Sequence, residues 1–233
     1  MKILSLETST KSFSLAVSAD EKILACRNFK LKKVLSSSII PAIKIILEKT
    51  DTKLQDLDGF AIGLGPGSFT SLRVGLSTVK GLAFSTEKPV VGISSLDILA
   101  MNAPVNGAQE ICCLCDARRN LLYSCLYQRS EKGLRQSGDY SLLKIDELLD
   151  KIKEPTFFIG DGVGLYREKI VRRFQKRWKL NDDLFANENE WYPRADRLAQ
   201  LAYPRFVKKN FDPVDKIVPL YLYPEDCQVP RNS

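Results

Sequence analysis

The first apolar run of this chain ends in four polar side chains, Glu7, Thr8, Ser9 and Thr10. An acid and hydroxyls at the turn after a leading strand are one way to cradle phosphate, because the turn's amides converge on an anion. The same four residues also make an ordinary hydroxyl-rich β-turn, and Ser9 stands where a glycine would let a ligand approach the backbone. A second candidate is Gly63-Leu64-Gly65-Pro66-Gly67. Its spacing is neither the G-x-G-x-x-G of a dinucleotide turn nor a P-loop, which needs Gly-Lys followed by Ser or Thr. Pro66 also removes an amide that could face an anion. The run reads as a turn that fixes where the next helix starts. Third, Asp116-Ala117-Arg118-Arg119 closes an apolar segment. A carboxylate there can hold a metal or act as an acid or base, or it can pair with a neighbouring arginine. Gly160-Asp161-Gly162 reads as a turn.

There is no histidine. That excludes Ser-His-Asp and Cys-His nucleophile systems within this chain, and a peptidase reading with them. Six cysteines (Cys26, Cys112, Cys113, Cys115, Cys125, Cys227) form no repeated C-x-x-C pair. They read as reduced core thiols, with Cys113 and Cys115 on one face of a strand and Cys112 on the other. The net charge of +7 favours polyanions such as RNA, though it also serves solubility. No signal-peptide pattern and no membrane-length apolar run is present, so a cytosolic protein is expected.

These residues need elements to hold them. Ile3–Glu7, Ser12–Val17 and Lys22–Phe29 read as three strands joined by tight turns. Ser36–Ser38 offer caps to a helix, Ser38–Lys49, with Ile39, Ile43, Ile46 and Leu47 on one face and Pro41 in its first turn. A strand at Gly59–Leu64, a helix over Ser68–Ser85, a strand at Pro89–Ile93 and a helix at Leu96–Met101 follow. The order β-β-β-α-β-α-β is that of an RNase-H-like lobe. Asn102–Gln109 is a linker in composition. Strands at Ile111–Asp116, Leu121–Gln128 and Leu134–Leu142, a helix at Ile145–Lys151, a strand at Thr156–Gly160 and a helix near Tyr166–Trp178 then repeat the first half. Arg194–Phe206 should be helical, with Leu198, Leu201 and Ala202 inward, and Val218–Tyr223 a returning strand. The division is residues 1–102 as the first lobe and 103–233 as the second lobe with a C-terminal extension.

Two surfaces stand out. In the helix from Ser68, the residues Ser71, Gly75 and Thr78 recur at i, i+4, i+7, with Gly81 nearby, beside an apolar stripe that includes Leu72. Such a row lets another helix come close, either inside this chain or on a partner. Arg172, Arg173, Lys176, Arg177 and Lys179 surround Ile170, Phe174 and Trp178 at i, i+4, i+8. That pattern fits RNA phosphates by counterion release, or a solvated helix face over a core stripe.

GPGSFTSLRVGLSTVKGLAF closely resembles the GPGSFTGLRIGL-type signature of the TsaB (YeaZ) family. MKILSLETST, Asp116-Ala-Arg118-Arg119 with Tyr123 and Tyr127, Pro193-Arg194-Ala195 and Pro219-Leu220-Tyr221-Leu222 resemble further stretches of it, in order. The resemblance implies a two-lobed α/β fold of the actin-like ATPase (ASKHA) class. It implies a non-catalytic subunit that binds and activates TsaD for threonylcarbamoyl transfer to N6 of adenosine 37 of tRNA, with TsaE as a further partner and ATP used by the complex. It implies no cofactor held by this chain alone, a heterodimer with TsaD or a homodimer, and docking through the two first-lobe helices, here at Ile39, Ile43, Ser71, Leu72, Gly75 and Thr78. Glu7, Thr8, Ser9 and Thr10 become a vestigial phosphate turn, since catalytic ASKHA proteins carry Asp and Gly there. Arg172, Arg173, Lys176 and Arg177 become candidate tRNA contacts. Where the catalytic relative has a helical His pair for its metal, the helix over Lys32–Ile46 carries Leu35 and Ile39. The competing reading is an ASKHA phosphotransferase or ATPase that uses Glu7 and Asp116 with magnesium.

Overall fold

Lys2–Glu7 (β1) runs through the middle of the first sheet, and that position explains its uninterrupted burial from Ile3 to Glu7: both of its faces are covered. Ser12–Ala19 (β2) and Lys22–Lys30 (β3) add antiparallel to one side, and Gly59–Gly63 (β4) and Val90–Ile93 (β5) add parallel to the other, in the order β3-β2-β1-β4-β5. This computed structural model describes residues 1–30, 34–105, 107–131, 133–178 and 182–223. The helices Leu35–Lys49 (α1) and Phe69–Thr86 (α2) cover one face of the sheet, packing Ile39, Ile43, Ile46, Leu76 and Val79 on Leu4, Leu6, Leu15, Phe60 and Ile62. Alternation of side chains sends Ile3, Ala61 and Val91 to the opposite face.

That opposite face is closed from far along the chain. Ala195–Val207 (α6) lays Leu198, Ala202 and Phe206 on Ile3, Ala61 and Val91. A helix inside the half assigned to the second lobe is therefore part of the first lobe's core, and the division at residue 102 does not describe the packing. The Phe206 ring lies where a side chain at Gly59 would be, 2.2 Å from an ideal Cβ there.

The second sheet repeats the first without a counterpart of β5. Glu110–Asp116 (β6), Leu122–Ser130 (β7), Gly133–Gln136 (β8), Ser141–Leu143 (β9) and Thr156–Ile159 (β10) give the order β10-β6-β7-β8, with β9 also paired to β7. Ile145–Lys151 (α4) and Gly162–Phe174 (α5) pack on the Cys112, Leu114 and Phe158 side, while Cys113 and Cys125 face the other. The short helix Ser95–Ala100 (α3) joins the halves: Ile98 turns to the first sheet, Leu96 and Leu99 to the second. Two RNase-H-like units in tandem make this an actin-like α/β fold, and among the described residues no helix is long and apolar enough to cross a membrane.

Four expectations shift. Helix α1 starts at Leu35, because Leu35 is buried in the core; the Ser37 and Ser38 hydroxyls donate back to the Val34 carbonyl instead of capping, and Pro41 lies past the first turn on the exposed side. The residues 31–33 ahead of it, including Lys32, lie outside the described residues, as do Lys179 and Cys227. The strand expected over Leu134–Leu142 is two short strands, since Tyr140 leaves the ladder to reach Asp97. Helix α5 begins at Gly162, four residues before the expected start. Val218–Tyr223 is not a strand: Pro219 has no amide to donate, and the Leu220 amide bonds the Leu64 carbonyl outside any ladder.

Because α6 closes the first sheet, Phe206→Ala should lower stability by about 3 kcal/mol through the cavity it leaves. Urea unfolding of the full chain measures this; a loss below about 1 kcal/mol contradicts the packing assigned to α6.

Candidate functional site

At the end of β1 the Glu7 carboxylate is buried, and it is bound from two directions. The Ser9 amide donates to Glu7 Oε1 at 2.6 Å, and the Ser95 hydroxyl at the start of α3 donates to Oε2 at 2.8 Å. Ser95 continues the chain of bonds. Its Oγ accepts from the Gly65 amide at 3.0 Å, and its own amide donates to the Gly65 carbonyl at 2.7 Å. Burial pushes the Glu7 carboxyl above its ordinary value; the bonds from Ser9 and Ser95 oppose the shift.

The glycine run closes over this carboxylate. An ideal Cβ on Gly63 would stand 1.8 Å from Glu7 Oε2, and one on Gly67 2.2 Å from the Ser9 carbonyl oxygen. Gly65 has φ +91°, its peptide to Pro66 is cis, and the Ser68 amide donates to the Ser9 carbonyl at 2.8 Å. The Ser9 amide that would greet a phosphate thus already holds the protein's own carboxylate, and the turn's carbonyl is held by the start of α2. Thr8 and Ser9 are buried here, their hydroxyls without a hydrogen-bond partner among the described residues.

Gly75 belongs to the same spot. It is buried, and an ideal Cβ there would meet Thr8 Oγ1 at 2.3 Å. Its smallness lets α2 sit on the β1 turn, so Gly75 is not available to a partner. Ile39, Ile43 and Leu72 are likewise 1%, 5% and 2% exposed. These four expected interface positions serve this chain's own core, because the apolar stripe must cover the sheet. Ser71 and Thr78 are half-buried, and the Thr78 hydroxyl donates to the Val74 carbonyl at 2.8 Å. What α1 and α2 present outward is Ile40, Ile45 and Phe84, with open space at Gly81. A groove of about 410 Å³ runs beside Ile40, lined also by Ile43, Leu47, Leu54 and Leu82 together with charged residues such as Lys44. Ile43 is its buried floor.

Asp116 is engaged by its own hairpin. It accepts from the Arg118 amide at 2.8 Å and pairs with the Arg118 guanidinium at 3.1 Å, while its amide donates to Asp161 at 2.8 Å. Burial raises the Asp161 carboxyl, and the Asp116 charge adds to that; Lys11 and Arg118 oppose it. Among the described residues, no three His, Cys, Asp or Glu side chains gather as a metal site would require. On α5, Arg172 pairs with Glu168 and Arg173 with Asp150, so carboxylates interrupt the basic face; Lys176 and Arg177 are exposed beyond it. Ile170, Phe174 and Trp178 form the core stripe, with Phe174 and Trp178 stacked at 4.2 Å.

Two residues escaped the sequence reading. Ser95 carries no pattern of its own, being simply a hydroxyl beside a helix start. Asp97 accepts hydrogen bonds from Tyr127 at 2.7 Å and Tyr140 at 2.8 Å, tying α3 to the second sheet.

Two outcomes follow from the packing of this turn. Gly75→Ala improves helix propensity by about 1 kcal/mol, yet it should destabilise by about 1–3 kcal/mol through the clash with Thr8. Thr8→Ala should recover part of that loss in a double-mutant cycle; full additivity contradicts the contact. Glu7, with a raised folded pKa, contributes stability that is complete below its unfolded pKa and is lost as pH rises through the folded one. Melting temperatures should therefore fall less between pH 4.5 and pH 8 in Glu7→Gln than in the unaltered chain, and an identical slope contradicts the burial of that charge.

Comparison with known proteins now bears on this geometry. The model of the family described as TsaD, tRNA N6-adenosine threonylcarbamoyltransferase, matches residues 30–223. A tRNA threonylcarbamoyladenosine biosynthesis protein TsaB of Escherichia coli K12 is 37% identical over 58% of this chain and 58% of its own length. The TsaB of Bacillus subtilis 168 is 32% identical over 73% of this chain and 75% of its own. The solved structure of YeaZ from Pseudomonas aeruginosa superposes with a TM-score of 0.78 at 26% identity, covering 95% of this chain and 99% of that one. The chain belongs to the family that this model describes, as a TsaB (YeaZ)-type member, and so to proteins of tRNA threonylcarbamoyladenosine biosynthesis.

Proposed function

We propose that this chain does no chemistry itself and serves as the subunit that binds a TsaD-type transferase and holds it competent to move a threonylcarbamoyl group onto N6 of adenosine 37 of tRNA. TsaE is a further partner, and ATP is used by the assembly and not held by this chain alone. The observation that carries the reading is the pairing of a closed turn with an open surface. The turn that would cradle phosphate is filled by Glu7, while the outward sides of α1 and α2 leave Ile40 53% and Phe84 64% exposed, Ile40 on the rim of an apolar groove. Apolar surface in that arrangement favours burial against a partner helix.

The competing phosphotransferase reading would need Glu7 and Asp116 free to hold magnesium. Glu7 is bound by Ser9 and Ser95, and Asp116 by Arg118. That opposes the reading. A homodimer through the same helices is compatible with the proposal, since both partners would compete for one face.

Co-purification with TsaD tests it. Gly81→Arg and Phe84→Asp change open positions and should leave the chain folded while reducing TsaD retention at least tenfold. Retention of TsaD at the unaltered level by both variants would overturn the docking face. Turnover by this chain alone on tRNA and the threonylcarbamoyl adenylate would overturn the non-catalytic role.

A further inference from the structure

After α6 the chain turns back over the ends of β4 and β5 and crosses toward the second lobe. Asp212 bridges to Val90, the side chain of Ile217 packs above Gly92, and the Leu220 amide donates to the Leu64 carbonyl at 2.8 Å. Its last described residues carry two tyrosines with different partners. Tyr221 meets Phe69 of α2 with ring centroids 5.3 Å apart, and its hydroxyl accepts from Arg73 Nε at 3.0 Å. The Arg73 guanidinium lies 3.8 Å over the Phe69 ring. Tyr223 donates to the Ala117 carbonyl at 2.7 Å and sits edge-on to Tyr123, which places it beside the exposed Arg118 and Arg119 of the β6–β7 turn.

A strip of three rings and three guanidinium groups results, Phe69, Arg73 and Tyr221 on the first lobe and Tyr223, Arg118 and Arg119 at the second. Phe69 is 53% and Tyr221 44% exposed, although both are large and aromatic. We infer that this strip is a contact surface for single-stranded RNA, with a base stacked on the Tyr221–Phe69 platform and phosphates met by Arg73 and the turn arginines. The inference rests on the reading that this chain works with TsaD on tRNA. Three features favour RNA over a protein surface. Among the described residues, the three arginines of the strip outnumber its carboxylates, Asp116, which is paired with Arg118, and Asp161 beside it. Aromatic rings interleaved with arginine suit any base, because every base offers a π-face. The tyrosine rings are also held by hydrogen bonds, and Phe69 by Arg73 over its face, before any ligand arrives, so little ordering is left to be done on binding. The basic face of α5, by contrast, is interrupted by Glu168, Asp146 and Asp150, each paired with a cation.

The test is anisotropy of a labelled 17-nucleotide anticodon stem-loop RNA, titrated with the full chain alone and with TsaD, across 50–200 mM salt. Tyr221→Leu should weaken binding about tenfold, whereas Tyr221→Phe, which keeps the ring and loses the bond to Arg73, should stay within about twofold. Arg73→Gln, at an exposed helix position, should weaken binding and reduce the slope of log affinity against log salt by about 1. Arg172→Ala with Lys176→Ala should have little effect. Unchanged affinity in Tyr221→Leu and Arg73→Gln overturns the inference, as does a loss of equal size in Tyr221→Phe, which would make the hydroxyl anchor the cause. TsaD retention is scored on the same variants. Loss of TsaD by Tyr221→Leu would make the strip a protein contact and overturn the RNA assignment. Failure of the unaltered chain to retain TsaD would strike the underlying reading itself.

Discussion

A buried carboxylate must be satisfied or it destabilises the fold, and here one carboxylate organises everything near it. Glu7 draws the Ser9 amide at 2.6 Å and the Ser95 hydroxyl at 2.8 Å, and Ser95 in turn holds both polar backbone groups of Gly65. The end of β1, the loop after β4 and the start of α3 are thereby fixed to one point. The surrounding glycines follow from that geometry. A side chain at Gly63 would strike the carboxylate, one at Gly67 the Ser9 carbonyl, and one at Gly75 the Thr8 hydroxyl.

From this point the two halves of the molecule are placed. Helix α2 begins where Ser68 caps the Ser9 carbonyl, so its buried side faces the sheet and its other side, with Gly81 and Phe84, faces out. Helix α3 leaves the same node with Ile98 toward one sheet and Leu96 and Leu99 toward the other. Asp97 then takes the hydroxyls of Tyr127 on β7 and of Tyr140 just before β9. In proteins of this architecture a phosphate turn supplies chemistry at the cleft. Here Glu7, Ser9, Ser95 and Gly65 fasten the end of β1, the loop after β4 and the start of α3 together.

Much of this was legible from residue patterns. The alternation in β1 to β3, the i, i+4 stripes of α1 and α2, and the split of Cys112 from Cys113 all follow from side-chain periodicity, which is a local property. The resemblance carried by GPGSFTSLRVGL pointed to the family that the comparisons support. Four of the six expected interface positions, Ile39, Ile43, Leu72 and Gly75, lie in the core for a physical reason. A helix stripe reveals which side is apolar but not whether a sheet of the same chain covers it, and Gly75 in sequence looks the same whether it admits a partner or Thr8. The return of α6 to the first sheet and the crossing of Tyr221 onto Phe69 join residues more than a hundred positions apart, and no local pattern records such contacts. The basic run on α5 was visible, but its carboxylate partners Asp146 and Asp150 lie on another helix.

The central physical claim is that Glu7 occupies the turn in place of phosphate. Isothermal titration of the full chain alone with ATP and magnesium measures this most directly. A filled turn gives heats indistinguishable from dilution up to millimolar nucleotide. A saturable isotherm that is lost on substitution of Thr8 or Ser9 would mean that nucleotide displaces the carboxylate, and the claim would fail.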